Sequence, residues 1–166
     1  SKFRNAGQTC VCANRIFVQE RVYSDFVARF SARVRALTVG AGDQPGVEIG
    51  PLINADGLAK VEAHLADAVA RGAQIEVGGM RHSAGPLFFT PTVVSGVTPQ
   101  MRMASEETFG PVAPIYRFAT ESEALALAND TPYGLAAYCY TRDLGRAFRM
   151  YEGLEYGIVG INTGII

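Results

Sequence analysis

The chain has 166 residues, 48% of them hydrophobic and 19% charged, enough to bury one good core and no more, so a single soluble domain is expected. Its 15 basic and 16 acidic residues leave a formal charge of -1, which gives no ground for a nucleic-acid or anionic-membrane surface, and no apolar run approaches the roughly 20 residues of a membrane span. No basic-then-apolar leader opens the chain, and three cysteines are too sparse and odd a count for a disulfide scaffold, so a reducing, cytoplasmic compartment is expected.

Strand and helix signals alternate from the start. Arg15 to Glu20 reads as a strand, after which Val22, Phe26, Val27, Phe30, Val34 and Leu37 recur at helical spacing, giving an amphipathic helix with arginines on its outer face. The run Gly40-Ala41-Gly42-Asp43-Gln44-Pro45-Gly46 breaks it. Past Gly50-Pro51-Leu52-Ile53 a second helix carries Leu58, Val61, Leu65, Ala68 and Val69 and stops at Arg71-Gly72, a basic residue followed by a glycine cap. Gln74 to Val77 is a short strand.

Gly78-Gly79 opens a loop carrying Gly85-Pro86, and Phe88 to Val97 looks extended but contains Pro91, which makes it an edge or interrupted strand. Met101 to Glu107 is a short helical or turn piece. Val112 to Phe118 is a near-continuous apolar strand of the kind buried on both faces. Thr120-Glu121-Ser122-Glu123 has capping-box spacing for a helix to about Asn129, and Thr131-Pro132-Tyr133-Gly134 turns into a strand from Leu135 to Thr141. Asp143 caps a helix with Leu144, Ala147, Phe148 and Tyr151, and Gly157 to Asn162 is the last strand. The alternation specifies an α/β fold, an open layered sheet with helices on its faces. A chain that starts without Met inside a motif, and stops at the apolar run ending in Ile165-Ile166, reads as a fragment.

Chemistry concentrates at the beginning. In Phe3-Arg4-Asn5-Ala6-Gly7-Gln8-Thr9-Cys10-Val11-Cys12-Ala13-Asn14-Arg15, a cysteine follows polar, glycine-permissive backbone and precedes the apolar Ile16-Phe17-Val18, as befits a nucleophile at the mouth of a strand. By residue type alone Cys10 would be a small buried residue. The stretch closely resembles the catalytic-cysteine segment of aldehyde dehydrogenases, and its Cys-Val-Cys form resembles succinate-semialdehyde dehydrogenases in particular. Glu106-Glu107-Thr108-Phe109-Gly110-Pro111 matches a second motif of that family, and Gly50-Pro51-Leu52-Ile53 and Asn129 to Ala136 are further likenesses read as architectural.

The resemblance implies an oxidation of succinate semialdehyde to succinate, with another semialdehyde such as glutarate semialdehyde as the alternative. Cys10 would be the nucleophile, its backbone N–H part of the oxyanion site, and NADP or NAD the hydride acceptor, with no metal. Arg4 would hold the substrate's far carboxylate, for which a planar guanidinium fork suits better than an ammonium. Glu107 would accept hydrogen bonds from the nicotinamide ribose, and Phe109 would pack near the ring. No glycine-rich dinucleotide fingerprint and no Glu-Leu-Gly-Gly general-base motif are found. Residues 1–166 are therefore expected to be the catalytic domain of a larger, homo-oligomeric enzyme, without its dinucleotide-binding domain and C-terminal segment, inactive alone and prone to self-association through an uncovered apolar face.

Cys12 is a candidate redox partner for Cys10, since in an extended stretch residues i and i+2 point the same way. Cys139, between Tyr138 and Tyr140 on a strand, is assigned to the core. Lys2 and Arg15 receive no role. A cysteine hydrolase pairing Cys10 with His64 or His82 is a competing class, but both histidines are read as surface residues, and Cys10, Cys12 and a histidine lack zinc-site spacing. A non-catalytic interaction module is the remaining alternative.

Overall fold

The computed structural model describes residues 2–164, so the terminal Ile165-Ile166 of the apolar run lies outside the described part. In chain order the elements are β1 (Ile16–Gln19), α1 (Glu20–Arg35), α2 (Ala55–Ala70), β2 (Gln74–Val77), β3 (Thr92–Val97), α3 (Arg102–Ser105), β4 (Val112–Phe118), α4 (Glu121–Asn129), β5 (Ala136–Cys139), α5 (Leu144–Gly153) and β6 (Ile158–Ile161). The main sheet has four strands in the order β1-β4-β3-β2. β4 runs parallel to both neighbours, and β2 pairs antiparallel with β3 at the edge.

Side-chain alternation divides the core between two helical layers. Val93 and Ile115 point to one face and pack with Tyr23, Val27 and Val34 of α1. Val94, Val112 and Tyr116 point to the other and meet Leu58, Val61 and Leu65 of α2 and Met103 of α3. Val112 to Phe118 is thus covered on both sides, as its unbroken apolar run requires. α2 begins where Asn54 Oδ1 accepts the Gly57 N–H at 2.9 Å, a cap the sequence reading passed over.

Two elements depart from expectation. β3 is an interior strand, not an edge, and it starts at Thr92, so Pro91 stands just outside the ladder where its missing N–H interrupts nothing. Before it, residues 88–91 contribute an isolated bridge between Arg81 and Phe89 in place of a continuous strand. β5 and β6, parallel to each other, form a separate two-stranded sheet instead of widening the first. α5 flanks that pair with no buried residue.

Candidate active site

The residues ahead of Cys10 adopt a costly backbone that the packing imposes. Within a 3-10 turn at Arg4–Gly7, Asn5 (φ 51), Ala6 (φ 55) and Gly7 (φ 76) are left-handed in succession. Such a conformation costs an L residue roughly 1–2 kcal/mol. A Cβ on Gly7 would stand 2.1 Å from the Gly110 carbonyl oxygen, so the turn ahead of Cys10 and the Glu106–Pro111 loop touch backbone to backbone, and glycine alone fits. Asn14 ties the same two segments: its Oδ1 accepts the Thr108 N–H at 3.0 Å, and its Nδ2 donates to Glu106 O at 3.5 Å.

Gln8 reaches the third motif. Its Nε2 donates to Pro51 O at 3.2 Å, and its Oε1 accepts the Ile53 N–H at 2.9 Å. Behind the cysteine, the Tyr138 hydroxyl of β5 donates to Val11 O at 2.7 Å. Thr9–Cys12 is a turn closed by the Cys12 N–H on Thr9 O at 2.9 Å, and Cys10 is exposed on it. The stretch is therefore not extended, and the premise that brought Cys10 and Cys12 to one face does not hold; Cys12 Sγ instead lies 3.8 Å from Arg4 O.

A cleft of about 1200 Å³ runs along β1 and β5 and is lined by Lys2, Arg4, Cys10, Cys12 and Glu107 among others. Glu107 is half-buried in its wall. Phe109 lies outside the lining, on left-handed backbone (φ 50), and is 38% exposed. Cys139 also lines the cleft and is half-buried, not a core residue; burial pushes its thiol up.

Lys2, given no role by sequence, is 4% exposed in this wall. Burial lowers its pKa to about 8, against the opposing pull of Cys12 and Glu107. The sequence carries no sign of it, because no motif or apolar spacing around Lys2 marks it as part of a cavity wall.

His64 is a correction. It is fully buried, with Nε2 3.1 Å from Glu106 Oε2 and Nδ1 3.0 Å from Thr108 Oγ1. Burial pushes its pKa down, so the ring is neutral near pH 7. A carboxylate only accepts, so Nε2 carries the proton and Nδ1 accepts the Thr108 hydroxyl. Glu106 in turn receives Arg102 Nε at 3.0 Å and Nη2 at 2.9 Å, and Arg102 followed by His64 holds its pKa down at about 2. The signal was available: His64 is three residues from Val61 and four from Ala68, on the buried stripe of α2. Both its nitrogens are engaged away from Cys10, and His82 accepts the Ala84 N–H in a loop outside the cleft, so neither histidine is set to activate the thiol. Among the described residues no group of three His, Cys, Asp or Glu could hold a metal ion, and no helix is long and apolar enough to cross a membrane.

These features define an α/β domain that presents a thiol on a locked turn. The chain belongs to the aldehyde dehydrogenase family, whose model matches residues 1–166. It is 55% identical over 166 residues to an NADP(+) succinate-semialdehyde dehydrogenase of Escherichia coli (strain K12), and the match covers 100% of this chain and 34% of that protein. A glutarate-semialdehyde dehydrogenase of Pseudomonas aeruginosa is 54% identical, with the same shares covered. The crystal structure of succinate-semialdehyde dehydrogenase from Burkholderia pseudomallei matches with a TM-score of 0.99 at 58% identity, over 100% of this chain and 34% of that one. The chain thus spans about a third of the length of the relatives it matches.

Proposed function

We propose that residues 1–166 form the cysteine-bearing catalytic domain of an NADP- or NAD-dependent, homo-oligomeric cytoplasmic aldehyde dehydrogenase that oxidises succinate semialdehyde to succinate. The carrying observation is that Arg4, Cys10 and Glu107, from two distant motifs, line one cleft. The identity to enzymes named for succinate and glutarate semialdehydes supports a substrate with a far carboxylate, and the printed NADP(+) of one of them supports that dinucleotide.

The Cys10 thiolate attacks the aldehyde carbon, and the alkoxide that forms meets the Cys10 backbone N–H. Arg4, exposed at the cleft, pairs with the distal carboxylate and holds the chain of the substrate so that the aldehyde end reaches the sulfur. Glu107 would accept from the nicotinamide ribose hydroxyls, and Phe109, which stands outside the cleft lining, would pack near the ring only from beside it. The dinucleotide, when bound, supplies the acceptor for the hydride. The thioester left on Cys10 is then released by a water whose base belongs to the remainder of the parent enzyme. Glutarate semialdehyde offers Arg4 the same carboxylate one methylene further away, and is the second substrate for which the relatives argue.

Initial rates of the full-length parent test this, with succinate semialdehyde and with an uncharged aldehyde of similar length, for wild type and Arg4→Ala. Loss of a charge-assisted hydrogen bond worth about 1.5 to 3 kcal/mol should raise KM roughly tenfold to a hundredfold for the charged substrate alone. An equal response of both aldehydes would make Arg4 structural.

A further inference from the structure

Glu107 stands between two residues gripped by one imidazole. Glu106 on its left takes the His64 Nε2–H at 3.1 Å, and Thr108 on its right donates to His64 Nδ1 at 3.0 Å. His64 itself is 0% exposed on α2, a helix anchored by Val61, Leu65 and Ala68 in the core, so the grip comes from a rigid element. The far end of the 106–111 loop is held by the Thr92 N–H on Pro111 O at 2.8 Å and by the close approach of Gly7 to Gly110, whereas on either side of Glu107 the loop is bonded by the side chains of His64 and Asn14. Of the paired carboxylates, Glu107 lines the cleft and Glu106 does not.

We propose that His64 is a positioning residue for the dinucleotide, holding Glu106 and Thr108 so that the backbone between them directs Glu107 at the nicotinamide ribose. This rests on the reading of Glu107 as the ribose ligand. A buried imidazole is costly in an apolar stripe unless both nitrogens are paired, and here both partners belong to this one loop. A histidine that merely filled the core would not need partners flanking the same residue. Arg102, on Glu106, and Asn14, on the Thr108 N–H, hold the same loop from outside, so His64 sets orientation and is not the loop's sole anchor.

The test uses the full-length parent with NADP+ and NAD+, reading KM for dinucleotide, KM for aldehyde and kcat for His64→Leu, His64→Gln, Glu107→Gln and the double variant. His64→Leu should raise the dinucleotide KM by between about tenfold and a hundredfold, the scale on which misplacing a binding group acts. The aldehyde KM should stay within about twofold, because that part of binding is untouched. His64→Gln, which keeps one amide donor and one acceptor, should recover most of the loss. In the Glu107→Gln background His64→Leu should add less than about twofold, since groups acting through one another are not additive. Thr108→Val, which removes the hydroxyl at nearly constant volume, should show the same split and decides the matter where His64→Leu does not fold. An unchanged dinucleotide KM in His64→Leu or Thr108→Val, an equal rise in both KM values, or full additivity overturns the proposal. If Glu107→Gln raises the dinucleotide KM and the His64 variants do not, the ribose reading stands and the positioning role falls. If Glu107→Gln has no effect, the ribose reading falls and the role with it.

Discussion

Lys2 is an ammonium with 4% of its surface in water, and its pKa of about 8 against an ordinary 10.5 makes it a stability sensor on the alkaline side. Below about pH 8 the folded and unfolded chains both hold the proton, and the burial cost is constant. Between about 8 and 10.5 the unfolded chain still holds the proton that the folded chain has shed, so stability rises with pH through that window, by roughly 3 kcal/mol in all. Lys2→Met should be more stable than wild type near pH 7 and should lose the rise. Thermal unfolding of the parent enzyme from pH 7 to pH 10 checks it, and equal slopes for the two proteins would sink the argument. Sequence reading singled out Arg4, Cys10 and Glu107 as candidates because they stand in motifs that resemble a family's, and the three line one cleft. It missed Lys2, Gln8 and Asn14, whose partners are a cavity wall, Pro51 and Ile53, and Thr108, all set by tertiary contact and not by local pattern. Gly7 was legible as a turn residue, but the reason that it must be glycine is the Gly110 carbonyl, a neighbour that spacing could not reveal.

Helices α2 and α5 were read from the same periodicity, and their surroundings differ. α2 buries Leu58, Val61, His64, Leu65 and Ala68. α5 leaves Leu144 73%, Phe148 59% and Tyr151 59% exposed, so its apolar residues contribute little burial energy. Its ties are polar: Asp143 caps it by accepting the Arg146 N–H at 2.7 Å, and Glu121 of α4 receives Arg149 Nε at 2.5 Å and Arg146 Nε at 3.1 Å. Exposed ion pairs of this kind are weak holders, which places α5 at the low-stability end of the fold. Hydrogen exchange followed by mass spectrometry on the isolated 166-residue domain, in which that apolar face is uncovered, should find α5 amides exchanging faster than those of α2. Glu121→Gln should quicken α5 several-fold and leave α2 alone. Protection of α5 equal to that of α2, or no response to the substitution, would show that more than these pairs holds it. A periodic apolar stripe specifies that a helix has an inner face; it does not say what lies against that face, and here the same pattern gave a core helix once and an uncovered one once.

Across the whole molecule, the alternation of strands and helices made the α/β class readable, but not the division into two sheets. Which strands pair depends on contacts between segments far apart in sequence, and β5 with β6 finds its own partner instead of joining β1 or β2. Beside the Tyr138 bond to Val11, a second link across the division is Arg15, a residue to which the sequence assigned nothing. It stands just ahead of β1, with its guanidinium 5.2 Å from the Phe17 ring centroid, and donates to the carbonyls of Leu127 at 2.8 Å, Ala128 at 2.7 Å and Asp130 at 3.3 Å. These are the C-terminal carbonyls of α4, where a cation offsets the helix dipole and satisfies orphan acceptors. Its Nη2 also reaches the Tyr156 hydroxyl at 3.2 Å, and that hydroxyl donates to Ala128 O at 2.6 Å, so one side chain binds the main sheet to α4 and to the approach of β6. Arg15→Met keeps an unbranched apolar chain but removes the guanidinium over Phe17 and every one of those donors, leaving the partly buried Leu127 carbonyl without this partner and Ala128 O with the Tyr156 hydroxyl alone. Because hydrogen bonds from a charged group are worth about 1.5 to 3 kcal/mol and bonds sharing one group do not add, the loss should be roughly 2 to 4 kcal/mol. The loss should also be local. Exchange at β5 and β6 should rise in the full-length variant while β3 and β4 keep their protection, since the cores above and below the main sheet do not include Arg15. A uniform loss across both sheets would mean that the two fold as one cooperative unit without this link, and an unchanged melting temperature would mean that the Tyr138 bond to Val11 and the Asn129 bond to Gly153 hold the smaller sheet by themselves.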